Sequence, residues 1–533
     1  MAAKEAAYWA IIALVGYFVY AQTVKRVSRK LPLGPKPLPL LGNIRDLPPN
    51  GVPEHEHWLK HKDLYGGISS VTVMGMTLVL IHDQTVAHDL LEKQASKTSG
   101  RPTMVMANKL CGYESIVLCQ GYTPAFKRYR KFLHQQFGTK AAAAQFRDAQ
   151  EVEVSRQLVR ALDEPTKWID HFKTTAGATV LKMAYGYAID HDKPDALVHL
   201  VDKMMTEFSL AASPMSWIVD IIPALQYLPE GFPGTSFHKT ARKWRHSIQS
   251  TAYIPYRFVQ RQMATFTHRP SYVSKLIQHF KQESDNISED DEQIIIWTAA
   301  SLYGAAADTT VIALTAFTLA MILFPEVQSK AQEEIDRVIG TSRLPTFDDR
   351  ENLPYVDALV KESIRWWPIA PMGFPHTATE DIEYDGMHIP KGAMLLPAVW
   401  WFLHDPEVYG SPDTFNPDRF LPPSNEPDPQ PAAFGYGRRA CAGQYVAESS
   451  LYLHIAQSLA VFKFCKAIDK NLQEVELDVK IKPGVLAYPT NFDVNVRPRS
   501  EKHVQLIREL ERQYPWEPSD AEILEGVKDV PLT

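Results

Sequence analysis

Phe434-Gly435-Tyr436-Gly437-Arg438-Arg439-Ala440-Cys441-Ala442-Gly443 is the stretch whose reading decides this chain. It sets one cysteine among glycines and arginines, just ahead of an apolar run with Val446, Leu451, Leu453, Ile455, Leu459 and Phe462 that predicts a helix. A cysteine at a helix N-terminus meets free backbone N–H groups and the positive end of the helix dipole, and both favour the thiolate. Gly437 and Gly443 let backbone approach a flat ligand where a side chain would collide. Arg439 offers a fork of donors to a carboxylate. Gly435-x-Gly437-x-x-Ala440 also fits a loose dinucleotide fingerprint, but that motif should follow a buried strand. Here it follows Pro422, Pro423, Pro427, Pro429 and Pro431, which is loop. Cys111, Cys119 and Cys465 lack such neighbours and read as small buried hydrophobes.

The chain has 533 residues, is 45% hydrophobic and carries only four cysteines, so it can bury a large core without cross-links. It holds no C-x-x-C pair and no disulfide framework, which suits a reducing compartment. A formal net charge of −6 does not indicate a nucleic-acid partner. No phosphate-binding G-x-x-x-x-G-K-S/T loop, G-x-S-x-G elbow, H-E-x-x-H motif or internal repeat occurs.

Residues 6–24 carry no charge and include Trp9, Ile11, Ile12, Leu14, Val15, Phe18 and Val19. As a helix they would span about 28 Å, close to the hydrocarbon thickness of a bilayer. Lys25, Arg26, Arg29 and Lys30 follow at once, and the positive-inside rule puts that end in the cytosol. A cleaved signal peptide, cut near Val19-Tyr20-Ala21, is the competing reading. Against it, Lys4 is offset by Glu5 and the basic cluster lies after the apolar run. Pro32, Pro35, Pro37 and Pro39 then give a stiff, extended segment. The expected order is an N-terminal transmembrane anchor (1–24), a basic and proline-rich hinge (25–45) and one large domain (46–533). The polar, acidic residues after Pro515 are expected to be disordered.

Within that domain, Val71, Val73, Leu78 and Leu80 predict two short strands around Gly75. Helical patterns dominate residues 124–330, with one long apolar helix over about 292–324 and a further helix over about 353–366. Strand-like pieces fall at 382–389 and 475–496. The fold class is mainly α with small β-sheets.

The cysteine stretch resembles the haem-ligand loop of the cytochromes P-450, F-x-x-G-x-R-x-C-x-G, at all its typed positions: Phe434, Gly437, Arg439, Cys441 and Gly443. The resemblance implies that Cys441 is the thiolate ligand of a haem b iron, with Phe434, Gly437, Arg439 and Gly443 binding the cofactor and Arg439 at a propionate. Thiolate electron density favours O–O cleavage. The implied fold is the cytochrome P-450 fold with its N-terminal anchor, in the endoplasmic reticulum membrane, the catalytic domain cytosolic.

Four further motifs agree. Glu362-Ser363-Ile364-Arg365 is an E-x-x-R whose charged side chains share a helix face. Arg419, in Phe415-Asn416-Pro417-Asp418-Arg419-Phe420, completes by resemblance a buried structural cluster with Glu362 and Arg365. Ala305-Ala306-Ala307-Asp308-Thr309-Thr310 resembles the A-G-x-D/E-T segment that delivers protons to bound dioxygen, with Thr309 as the hydroxyl and Asp308 as the relay acid. Ala306 stands where the family usually has glycine. Phe126-Lys127-Arg128-Tyr129-Arg130 resembles W-x-x-x-R, with Arg130 at a propionate and Phe126 replacing the tryptophan. His376 is placed where the family offers another propionate donor.

Residues 344–350 and 353–356, and Arg365-Trp366 followed by Pro375-His376, look most like fungal secondary-metabolism members, similar to the sterigmatocystin-pathway oxidoreductase group. The implied reaction is oxidation of a small, bulky, apolar metabolite by dioxygen, with electrons from NADPH through a reductase and cytochrome b5 as a second donor. Lys127, Arg128, Lys131 and Arg438 are expected to form a basic docking patch. Substrate contacts are expected from residues 99–119, 208–233, 369–374 and 484–488, with Met204, Met205, Phe208, Met215, Trp217, Met372 and Phe374 lining an adaptable pocket. Two other readings are a haem-thiolate isomerase or dehydratase needing no reductase, and a non-catalytic membrane haem-binding protein. The Asp308-Thr309 pair and the intact Gly437 and Gly443 argue against the first; the second would require neither a proton relay nor an apolar cavity.

Overall fold

The computed structural model describes residues 30–528 apart from 40, 50, 192, 214, 215, 284, 285 and 472. The expected anchor (1–24), the start of the hinge and Met215 lie outside the described residues. The described residues form two compact units. Neither is a continuous stretch: the first takes the described residues up to Pro102 together with Met372–Phe402 and Tyr436–Arg439, and the second takes the rest.

The first unit is built on a sheet. Strands β1 (Ile68–Val73) and β2 (Met76–Ile81) form the expected hairpin. It turns at Met74 and Gly75, with φ of 46° and 96°, the left-handed pair that a two-residue hairpin turn requires. Further along lie β3 (His376–Thr377), β4 (Ile382–Tyr384), β5 (Met387–Ile389) and β6 (Met394–Pro397). β6 pairs parallel to β2 and antiparallel to β3, giving the order β1-β2-β6-β3. β4 and β5 pair separately, as the 382–389 pattern predicted. Helix Glu54–Tyr65 packs on β1 and buries Trp58 with Val71, Leu80, Met372, Leu396 and Ala398.

The second unit is helical. Its centre is the helix Glu289–Leu323. Ser288 caps its start by accepting from the Asp291 N–H. Four acidic residues, Glu289 to Glu292, complement the dipole there. It ends before Phe324-Pro325, since proline disfavours helical backbone in the residue before it. From Val311 to Ile322 it is buried on every side, as befits a helix enclosed by others. Helices Trp168–Tyr185, Ala196–Ala211, Phe237–Ala264, Tyr272–Glu283, Pro354–Trp366 and Gln444–Val461 all pack on it. Among the described residues it alone is long and apolar enough to cross a membrane, and its burial marks it as a core helix.

Two expectations are corrected. In the 475–496 stretch only the end forms a strand: β8 (Val494–Pro498) pairs with β7 (Phe462–Lys466). Pro483, Gly484 and Pro489 break the remainder, leaving one isolated bridge, Ile481 to Pro489. The described tail is held from Trp516 to the helix that begins at Ala521. Trp516 lies under the guanidinium groups of Arg156 and Arg160, at 5.2 and 4.9 Å, and stacks on His191. Asp520 pairs with Arg269 at 2.5 Å and accepts from the Ala188 N–H, and a helix begins at Ala521.

Candidate active site

Cys441 lies in the chain just ahead of helix Gln444–Val461, whose N-cap is Gly443. Its own N–H donates to the Phe434 carbonyl at 2.8 Å, which closes the loop that carries it. The residue is exposed, yet protein surrounds the sulfur closely enough that burial pushes its thiol pKa up. The Gly443 N–H and the Arg130 charge pull the other way. Metal coordination would add the remaining stabilisation, because a coordinating thiol is deprotonated outright.

Arg130 sits on helix Pro124–Phe137, which starts where Thr123 accepts from the Phe126 N–H. Its Nη2 donates to the Ala440 carbonyl at 2.7 Å. The structure thus brings Arg130 beside the cysteine, a neighbour the sequence did not assign to it. Burial lowers the Arg130 pKa while the Cys441 charge raises it. Phe126 is buried in the core at the start of the same helix.

On the long helix, Ala305 is exposed although Tyr303 and Gly304 just before it are buried. The helix presents an open face there. Thr309, one turn on, donates its hydroxyl to the Ala305 carbonyl at 2.8 Å. Its lone pairs remain to accept, and the hydroxyl must rotate away before it can donate elsewhere. Asp308 follows a different direction: its Oδ2 accepts from the Tyr488 hydroxyl. Burial raises the Asp308 pKa, opposed by the Tyr488 donor. Reading the sequence placed Tyr488 only among substrate contacts, and no motif signals its partnership with Asp308.

Glu362, Arg365 and Arg419 come together in full burial. The Arg365 Nε and Nη2 donate to Glu362 at 2.7 and 2.9 Å, and the Arg419 Nε donates to Glu362 Oε1 at 3.2 Å. The Asn416 N–H adds a further donor to Oε1 at 2.8 Å. Arg419 also reaches Glu426 at 2.6 Å, an acid outside the expected cluster.

In the first unit, His376 is buried and its Nδ1 lies 3.0 Å from the Thr98 carbonyl, so that nitrogen carries the hydrogen. Burial, then the Arg101 charge, push its pKa down to about 3. Neutral in that tautomer, its Nε2 is an acceptor, so donation to a carboxylate requires a second proton. The Arg439 Nε donates to the Ser99 carbonyl at 2.8 Å. Arg101 donates to the carbonyls of Phe374 and Pro375 at 2.9 and 2.7 Å. The sequence did not single out Arg101, which has no motif of its own. Gly437 has φ of 54°, and a Cβ there would lie 2.4 Å from the Leu91 carbonyl oxygen. Its glycine is therefore required by the chain itself. A Cβ on Gly443, in the second unit, would meet nothing within 4 Å.

These residues fit a haem. The second unit offers an open thiol with an N–H donor and a guanidinium beside it, an open backbone at Gly443, and a helix presenting Ala305 and Thr309. The first offers a histidine in the field of two arginines, suited to an anion. Of the expected apolar pocket residues, Met204 and Phe208 are buried, with Phe208 against Tyr113 at 5.0 Å. Among the described residues no cluster of His, Cys, Asp and Glu is arranged to hold a metal ion by itself.

Comparison with known proteins gives a match to the family model "Cytochrome P450", written here P-450, over residues 32–494. Cytochrome P-450 monooxygenase CLM2 of Gibberella zeae is 47% identical over 519 residues, covering 97% of this chain and 98% of its own length. Multifunctional cytochrome P-450 monooxygenase af510 of Aspergillus fumigatus is 46% identical, covering 97% of each chain. An O-methylsterigmatocystin oxidoreductase of Aspergillus flavus is 38% identical over 514 residues, covering 96% of each.

Proposed function

This chain belongs to the cytochrome P-450 family and is a monooxygenase enzyme, and we propose that it is a membrane-anchored haem-thiolate oxygenase acting on a bulky, largely neutral secondary metabolite. The observation that carries the reading is the setting of Cys441, an open thiol with the Gly443 N–H and the Arg130 charge turned toward it. Haem iron, when bound, supplies the binding and reductive activation of dioxygen.

The chain's own residues then divide the work. Cys441 would ligate the iron as thiolate, its charge met by the Gly443 N–H and Arg130. Arg130 in the second unit, and Arg439 and His376 in the first, would be the propionate donors, His376 only with a second proton on its ring. Asp308 and Thr309 move protons inward, Thr309 by turning its hydroxyl off the Ala305 carbonyl. Phe434 closes the cysteine loop through its carbonyl. The Glu362–Arg365–Arg419 cluster anchors helix Pro354–Trp366 to the segment leading to that loop.

Electrons come singly from an NADPH-dependent reductase at the cytosolic face of the endoplasmic reticulum, with cytochrome b5 as an auxiliary donor. Lys127, Arg128 and Lys131 lie exposed on helix Pro124–Phe137, and Arg438 is exposed on the first unit; these receive the acidic partner. Arg128 already pairs with Asp291 at 2.6 Å. The 38% identity to an O-methylsterigmatocystin oxidoreductase supports an aromatic or polycyclic substrate.

The test incubates membranes holding this protein and its reductase with NADPH, host metabolite extract and isotopic dioxygen. The expected result is a product carrying one labelled oxygen, absent for Cys441→Ala. A Cys441-dependent product without label, formed equally without NADPH, contradicts it and points to isomerisation.

A further inference from the structure

Asp308 and Thr309 are neighbours in sequence but face different ways. Successive residues on a helix project about 100° apart. Thr309 shares the open stripe with Ala305, to which it is hydrogen bonded. Asp308 begins another stripe that continues through Ile312, Ala316 and Leu319, and these pack against Trp367, Ala487 and Tyr488. The acid therefore faces the loop around residue 488, and the Tyr488 hydroxyl donates to its Oδ2.

That loop is fastened by its backbone. The Trp367 Nε1 donates to the Ala487 carbonyl at 2.7 Å, and the Ala487 N–H donates to the Ile369 carbonyl at 2.8 Å. The Tyr488 carbonyl accepts from the Lys482 N–H at 2.7 Å, and its own N–H donates to Leu486 at 3.0 Å. The phenol is thus delivered to Asp308 by a rigid element rather than by a free loop tip.

We propose that Tyr488 is the positioning residue for Asp308, holding one carboxyl oxygen in place and leaving the other to take and hand on a proton. The inference rests on the reading of Asp308 as the relay acid. Tyr488 keeps its own hydrogen throughout: burial and the adjacent carboxylate both push its pKa up. A donor fixed to a carboxylate favours the ionised form. The other charges acting on Asp308 are Asp202, which raises its pKa, and Lys173, which lowers it. Without the phenol the acid would stay protonated to higher pH and lose its fixed rotamer.

Tyr488→Phe removes the hydroxyl and keeps the ring between Ile312, Ala316 and Trp367, so the fold is retained. Two readouts apply to the haem-loaded enzyme. The first is infrared titration of the Asp308 carboxyl stretch, assigned by its loss in Asp308→Asn. Its midpoint should rise by about one pH unit or more in Tyr488→Phe. The second is the share of NADPH electrons released as hydrogen peroxide, with reductase and host metabolite extract. That share should rise severalfold in Tyr488→Phe and in Asp308→Asn, and adding Tyr488→Phe to Asp308→Asn should change nothing further. An unmoved midpoint, or effects that multiply in the double variant, overturns the proposal. A fully coupled Asp308→Asn overturns the relay reading itself, whatever the midpoint in Tyr488→Phe.

Discussion

Glu362 and Arg365 are joined by two hydrogen bonds, at 2.7 and 2.9 Å, with neither side chain exposed. Arg419 shares the same carboxylate. Removing the acid strands two buried guanidinium groups, which costs about 3–5 kcal/mol. Glu362→Ala should therefore yield little haem-loaded protein on purification, whereas Glu426→Ala should lose less, because Arg419 keeps Glu362. Normal loading and an unchanged melting temperature in Glu362→Ala would contradict this.

Gly437 and Gly443 of the cysteine motif should separate by experiment. Gly437→Ala forces a left-handed conformation costing about 1–2 kcal/mol, and its Cβ would also collide with the Leu91 carbonyl and Ala95. Its apoprotein should melt well below wild type. Gly443→Ala has an ordinary φ of −95° and open space at the new methyl. Its apoprotein should melt near wild type while binding haem more weakly in titration. Equal thermal losses would contradict the distinction.

Acid should destabilise the apoprotein through its buried histidines. Burial pushes His55, His61 and His82 to about 4 and His376 and His454 to about 3. The unfolded chain binds these protons below about 6.5, while the folded chain does not, so stability rises with pH across that interval. Full stability is reached above about pH 6.5 and falls steadily toward pH 4. His454, whose buried Nδ1 has no hydrogen-bond partner among the described residues, gives the cleanest check. His454→Leu should raise the melting temperature more at pH 5 than at pH 7; an equal change at both would contradict the account.

Much of this was legible in the sequence, for local reasons. The hairpin at β1 and β2 announces itself by Val71, Val73, Leu78 and Leu80 around Gly75. The long helix shows as an unbroken apolar run, and Glu362 and Arg365 are one helical turn apart. What escaped depends on distant partners. Nothing near Met394 says that β6 will lie beside β2, and nothing near Tyr488 points to Asp308. Trp516 sits in a polar tail that reads as disordered until Arg156 and Arg160 are seen beneath it. The burial of Met204 and Phe208, with Phe208 against Tyr113, likewise depends on partners far along the chain. Gly437 was legible as a requirement, but not the Leu91 carbonyl that a side chain there would meet, because Leu91 lies far away in the chain.

The docking of an acidic reductase is tested at Arg438, exposed at the surface. Charge reversal at an exposed site should act mainly on association rate. Arg438→Glu should lower reductase-driven turnover by about tenfold at low salt and leave peroxide-driven turnover within about twofold. Equal losses by both routes would show a structural defect instead.

The most direct test of the account is iron-edge X-ray absorption of the haem-loaded protein, wild type against Cys441→His. The account predicts an iron–sulfur distance in the wild type, lost and replaced by an iron–nitrogen distance in the variant. An iron–sulfur distance surviving in Cys441→His, or absent from the wild type, would contradict it.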